Sequence, residues 1–268
     1  MNLPLSTELV VRLEEVVVEQ MRVRQSIWRA YEGNPMRIEI AAFGRATAFV
    51  NLGIPTPLLN VVKLLGAQEL EHLDDIVAFY ETRGMGPTLE LNPAFMSPEF
   101  GKALAQRGFY QASFQTMLYG VPTEDIPAPA EGVRVRRMNP EDFPLFGKLY
   151  CEGFGMPMEN ASSVGENNRV LDEHPSFTYY LAEVDGEPAG VASLFVHAGT
   201  AYFTAATTTT SLRNLGVQSA LLHHRIAEAA RFGCDLLCSQ ARFTNNSLRN
   251  MQRAGLQVAY SQAHWNKL

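Results

Sequence analysis

Cysteine is scarce in this chain, with three in 268 residues. Cys151 stands alone, and Cys234 and Cys238 fall four apart on one expected strand, about 13 Å from each other and beyond the reach of a disulfide. Two thiols without further ligands make no zinc site either, so all three read as small buried hydrophobes and no metal is expected. Basic charge is also in short supply. The 22 Lys and Arg against 28 Asp and Glu leave a formal charge of −6 with no dense basic run. That balance argues against nucleic acid or an anionic membrane as the main partner and favours a cationic or amine one. No run of 18 apolar residues is present to cross a bilayer. The opening stretch Met1 to Glu8 has neither the basic nor the apolar region of a signal peptide, so a cytoplasmic protein is expected.

What is present suffices for two cores: 46% of the residues are apolar, and the length is comfortable for two domains. Leu9, Val10, Leu13, Val16, Val17, Met21 and Trp28 recur in a helical rhythm, which predicts one long amphipathic helix over 5–31 with Ser6 or Thr7 at its start. Strands are expected at 37–43, 46–50 and 58–65, a helix at 70–83, a strand at 88–91, a helix opened by Ser97-Pro98-Glu99, and a strand at 111–119. Residues 123–132, rich in Pro and small or acidic side chains, read as a linker. After it come a strand at 133–138, a helix from Asn139 through Cys151, an irregular stretch at 153–168, and a hairpin, 177–184 with 189–197, turned by Asp185-Gly186.

The most informative stretch follows. A Thr-rich strand, 201–209, gives way through Leu212-Arg213-Asn214-Leu215-Gly216-Val217-Gln218-Ser219 to a helix over 220–232. No acidic side chain lies between 210 and 219, so the positive end of the helix is left open to an anion, and the loop suits a pyrophosphate. Arg213-x-x-Gly216-x-x followed by Ser219-Ala220-Leu221-Leu222, a helix, and then Gly233-Cys234-Asp235-Leu236-Leu237 resembles the GCN5-related N-acetyltransferase (GNAT) pattern. Gln218 departs from that pattern, which has a small residue at its place. Downstream, a strand at 234–241, a short helix at 245–254 and Gly255-Leu256 leading into a last strand keep the order of the family's coenzyme-binding half.

Subtracting 147 carries Gly255 onto Gly108, Ala259 onto Ala112, Gln262 onto Gln115 and Gly233 onto Gly86, which points to an internal duplication. The same shift puts Glu69 where Gly216 stands, and Glu69, Glu71, Asp74 and Asp75 would repel a pyrophosphate from that helix. The first copy therefore reads as degenerate. The resemblance implies an α/β (α+β) fold of two tandem GNAT-like domains, each a mixed central sheet flanked by helices, at 1–122 and 133–268. It implies acetyl-CoA as co-substrate in the second domain, and an N-acetyltransferase acting by direct transfer on a small-molecule or peptide amine. The alternative is a non-catalytic acyl-CoA sensor or adaptor. A homodimer is allowed.

By the same resemblance, Ala206, Thr207 and Thr208 would border the coenzyme's arm. Arg213, Asn214, Leu215, Gly216, Val217, Gln218 and Ser219 would hold its phosphates, with Asn246 and Ser247 nearby, and the amide near Thr207 would donate to the oxyanion. Many members carry an Asn and a catalytic Tyr where this chain has Thr244 and Met251, and a thioether has no proton to give. His197, Tyr202 and Glu183 are the candidates for a general base.

Overall fold

A computed structural model describes residues 3–268. In chain order the elements are α1 (Thr7–Arg29), β1 (Ile38–Phe43), β2 (Ala46–Asn51), β3 (Val61–Leu65), α2 (Leu73–Glu81), β4 (Thr88–Leu91), α3 (Pro98–Gln106) and β5 (Phe109–Gly120). After the linker, which carries no helix or strand, they continue with β6 (Val133–Arg137), α4 (Phe143–Phe154), α5 (Ala161–Asp172), β7 (Phe177–Val184), β8 (Glu187–His197) and β9 (Thr200–Thr208). The chain closes with α6 (Val217–Arg231), β10 (Leu236–Ala241), α7 (Asn246–Arg253) and β11 (Gln257–Lys267). Among the described residues no helix is long and apolar enough to cross a membrane.

The chain divides into two units that interleave in sequence. The first unit holds residues 5–117 together with 241–243 and 258–268; the second holds 118–240 and 244–257. In the first, the strand order is β1-β2-β3-β4-β11-β5, with β3 and β4 parallel and β11 antiparallel to β4 through Ala263↔Leu91 to Asn266↔Thr88. The last strand of the chain is thus built into the sheet of its first half. Helix α1, capped by Ser6 Oγ accepting from the Leu9 amide at 3.2 Å, buries Val10, Leu13, Val16, Val17, Met21 and Trp28. That is the stripe the periodicity predicts, and it places α1 on β1 and β3. Glu14 interrupts the stripe and is matched on β11: Tyr260 Oη, Gln262 Nε2 and, from the end of β4, Asn92 Nδ2 all donate to its carboxylate at 2.5–2.9 Å.

In the second unit the order is β10-β9-β8-β7-β6, antiparallel throughout except for β9 with β10. Helix α5 lies where the sequence reads as irregular. Its residues, small and polar, offer no apolar rhythm, because α4 and α5 pack through glycines: a Cβ on Gly147 would stand 1.9 Å from the Ala161 carbonyl oxygen, and one on Gly165 2.5 Å from that of Phe143. Close backbone approach replaces the apolar stripe as the packing device. Displaced by 147 residues, α7 and β11 fall on α3 and β5 within one residue of their ends and β10 falls on β4 within three, so the repeat holds at the level of elements. All three cysteines are free and buried.

Candidate functional site

The second unit contains a cavity of about 740 Å³. Two helix starts open onto it. Gly216, with φ of +83°, is the N-cap of α6 and offers no side chain, and no acid stands in the first turn of that helix. Glycine is needed there because the left-handed backbone strains any residue with a Cβ. The amides of Val217, Gln218 and Ser219 are left as donors at the positive end of α6. Helix α7 begins beside it, with the Asn245 side chain accepting from the Leu248 amide at 2.8 Å. Asn246, Arg249, Asn250 and Arg253, spaced i, i+3, i+4 and i+7, turn one polar face of α7 to the cavity while Leu248 and Met251 face the core. Arg213 completes a set of three exposed guanidinium groups around the opening. Among the described residues none of the three is paired with a carboxylate.

The third wall is β9. Its pairing with β10 runs from Thr200↔Leu236 to Phe203↔Ser239 and stops there, so the edge from Thr204 to Thr208 has no strand beside it. Such an edge can accept an extended ligand as an added strand. Ala206, Thr207 and Thr208 line the cavity from this edge, and Gly153 and Phe154 at the end of α4 close it. The approach of α4 to β9 depends on Gly153, since a Cβ there would lie 1.7 Å from Thr207 Oγ1. Glu152 Oε1 accepts from the Thr210 amide at 3.2 Å and ties α4 to the start of the loop.

The cavity therefore gathers Ala206, Thr207, Thr208, Arg213, Asn214, Gly216, Val217, Gln218, Ser219, Asn246 and Ser247 from the sequence reading, but not Leu215, whose side chain is exposed. The Gln218 side chain is held by α7: its Oε1 accepts from Asn250 Nδ2 at 2.9 Å, joining α6 to α7. The candidates for a general base are not brought to the cavity. On β8 and β9 His197 stands opposite Thr200 while Gly190 stands opposite Thr208, so His197 is at the far end of the strands, roughly 20 Å along them. Tyr202 is near that end too, its hydroxyl donating to Gln240 Oε1 at 2.9 Å. Glu183, on β7, pairs with Arg136 at 3.4 Å, and Arg136 is itself bound to Asp142. Met251 is buried. Arg249 and Asn250, which the sequence offers either as a border of the coenzyme or as a solvated helix face, line the cavity, and Arg253, unused by the sequence reading, joins them by the one-face spacing on α7.

The first unit offers the counterpart geometry with every opening filled. Residues 66–72, opening on Gly66, join β3 to α2, where 209–216 join β9 to α6. Glu69, 3% exposed, folds back so that its carboxylate accepts from the Gly66 amide at 3.2 Å and the Arg45 amide at 3.3 Å. Phe95 packs against Gly66 closely enough that a Cβ there would lie 2.6 Å from it.

Residues 141–255 match the profile of the acetyltransferase (GNAT) family. The fold is similar over nearly the whole chain to that of a GCN5-related N-acetyltransferase from Kribbella flavida, with 13% identity, 94% of this chain and 95% of that one covered, and a TM-score of 0.68. A tandem GNAT protein from the clavulanic acid biosynthesis pathway is similar at 12% identity, with 96% and 92% covered and a TM-score of 0.64. A GCN5-related N-acetyltransferase from Sphaerobacter thermophilus is similar at 15% identity, with 95% and 91% covered and a TM-score of 0.61. No curated protein matches the sequence.

Proposed function

We propose, from the premise that residues 141–255 form a GNAT-family domain in a chain of tandem GNAT fold, that the second unit is an acetyl-CoA-dependent N-acetyltransferase acting on a small-molecule or peptide amine. The observation that carries the reading is the convergence on one cavity of two helix starts, three arginines without carboxylate partners and a strand edge with no strand beside it. That donor set suits a long, polyanionic ligand with an extended amide-bearing arm. Acetyl-CoA supplies the activated acetyl group as a thioester. Arg213, Arg249, Arg253 and the first amides of α6 hold its phosphates, and the edge at Ala206–Thr208 aligns its arm. The amide near Thr207 donates to the carbonyl oxygen as charge develops there. The cavity lining holds no Tyr, His, Cys, Asp or Glu. Transfer is therefore read as direct attack by a neutral amine, with the site acting through proximity and electrostatics. We keep the division into 1–122, a linker at 123–132 and 133–268 as its functional division, with cytoplasmic residence, no metal, and a homodimer allowed.

The same bare lining favours a second reading, a non-catalytic acyl-CoA sensor or adaptor. Turnover of acetyl-CoA with a panel of amines, set beside acetyl-CoA binding by thermal shift, separates the two. Binding without release of free thiol against any amine would remove the catalytic reading, and no binding would remove both.

A further inference from the structure

Strand β9 carries one residue more than its neighbour allows. Val191 pairs with Thr207 and Ser193 with Thr204, so Ala192 alone stands opposite Ala205 and Ala206. This is a β-bulge, and Ala205 takes φ of +45° in it, a conformation that L-residues avoid. The bulge lies where β9 leaves β10 and turns its edge to the cavity. Strained backbone of this kind persists only where surrounding structure holds it.

What holds it is Arg225, on α6. Its Nη1 donates to the carbonyl oxygens of Ser193 at 3.1 Å and Thr204 at 3.2 Å, the residues that flank the bulge. Nε donates to Leu221 O at 3.1 Å, and the guanidinium lies 4.8 Å from the centre of the Phe203 ring. Arg225 is 2% exposed, and no carboxylate pairs with it among the described residues. Burial draws its pKa down to about 10. If this position only had to fill space, an apolar side chain would do so without burying a charge. One nitrogen of the planar group serves both carbonyls while Nε ties it to its own helix, and that anchoring at two atoms is what the position uses.

We infer that Arg225 is a positioning residue for the arm of the coenzyme: it fixes the bulge in β9 so that the edge at Ala206–Thr208 meets the ligand in one register. The inference rests on the acyl-CoA reading and divides that site into two parts. The phosphates depend on the loop at 213–219 and on α7, which Arg225 does not touch. The arm depends on the edge of β9, and loss of the bulge would slip that edge by one residue and turn its groups to the other face.

The test is to titrate the full chain with acetyl-CoA and with adenosine 3′,5′-bisphosphate, which carries phosphates and adenosine but no arm. In Arg225→Met, acetyl-CoA is expected to bind at least tenfold more weakly and the bisphosphate within twofold of the unaltered protein. Arg225→Lys keeps a donor but not the anchoring at two atoms, and is expected to show the same selective loss at threefold to tenfold; it decides the matter if the Met variant does not fold. Ile226→Val, a neighbouring buried truncation on α6, is expected to leave both affinities within twofold. Equal loss of both ligands, or of neither, while the unaltered protein binds both would overturn the role of Arg225. If the unaltered protein bound neither, the acyl-CoA reading would fall and this inference with it.

Discussion

Glu14 makes the stability of the first unit depend on pH in a direction opposite to ordinary acid unfolding. Its carboxylate is 2% exposed and receives Tyr260 Oη at 2.5 Å, Asn92 Nδ2 at 2.9 Å and Gln262 Nε2 at 2.7 and 2.8 Å. The other titratable groups of the cluster are Glu90, Lys63 and His264, with Lys63 Nζ 2.6 Å and His264 Nε2 3.4 Å from Glu90. Burial, and then the charge on Glu90, push Glu14 up from 4.5 to about 7 against the pull of its donors and Lys63. Burial acts the same way on Glu90, but the Lys63 ammonium and His264 overcome it and hold that carboxyl at about 2. A raised folded pKa means that the native state binds the proton more tightly. The stability Glu14 contributes is therefore complete below pH 4.5 and lost as pH rises through 7. At 1.36 kcal/mol per unit, the loss is about 3 kcal/mol. Glu90 works in the separate window below 4.5, contributing stability that disappears as pH falls towards 2.

Both tryptophans, Trp28 and Trp265, lie in the first unit, so their fluorescence reports its unfolding. Urea titrations between pH 4.5 and 8 are expected to show stability falling with pH. Glu14→Gln, which cannot ionise, is expected to flatten most of that slope, whatever its absolute stability. A flat or rising profile in the unaltered protein, or the same slope in the variant, would refute the assignment of the proton to Glu14.

Arg249→Gln and Arg253→Gln, each removing an exposed cation from the cavity, are expected to weaken acetyl-CoA binding by about 1.5–3 kcal/mol apiece with little change in melting temperature, as read by calorimetric titration. The same titration is expected to give one site per chain, and Gly216→Glu to cost at least about 2 kcal/mol of affinity through blocked amides and repulsion; two equivalent sites would contradict the closed geometry at Glu69. Met251→Leu keeps the volume of a buried side chain that has no proton to give, so kcat is expected within about threefold of the unaltered value in a steady-state assay. Deleting residues 258–268 removes the strand paired with β4 and two of the three residues that donate to Glu14, and Trp28 fluorescence should then lose its cooperative urea transition.

The phosphate-facing part of the site was legible because it rests on local rules: glycine at a left-handed helix start, no acid in the first turn, a strand before and a helix after. The polar face of α7 was legible in principle from the spacing of Asn246, Arg249, Asn250 and Arg253, but such a face is equally what a solvated helix shows. Gly153 and Arg225 were not legible. Gly153 matters through its closeness to Thr207, 54 positions away, and Arg225 through two carbonyls on other strands, and neither relation leaves a periodic trace. The exchange of β11 into the first unit was hidden for the same reason. Its sequence carries no apolar pattern that names a neighbour, and its buried residues Tyr260 and Gln262 meet Glu14, a residue near the opposite end of the chain.

Comparison of the two copies separates what the fold requires from what a ligand requires. Leu64 on β3 has φ of +56°, and the pairing of β3 with β4 shifts register across it. Each copy thus has one irregular strand with a residue at positive φ, against β8 in the second and against β4 in the first. In the second, β10 stops pairing at Phe203 and the bulged edge stays open. In the first, β4 pairs on both sides of the bulge, at Val62↔Leu89 and Leu65↔Leu91, and Lys63 and Glu90 join their charges there across the two strands. The strain has been kept where no opening uses it, so a bulge by itself does not make a cleft. What distinguishes the second copy is that its connection ends on Gly216 with no acid in the first turn of α6, where the Glu69 carboxylate fills the connection of the first, together with the parting of β9 from β10.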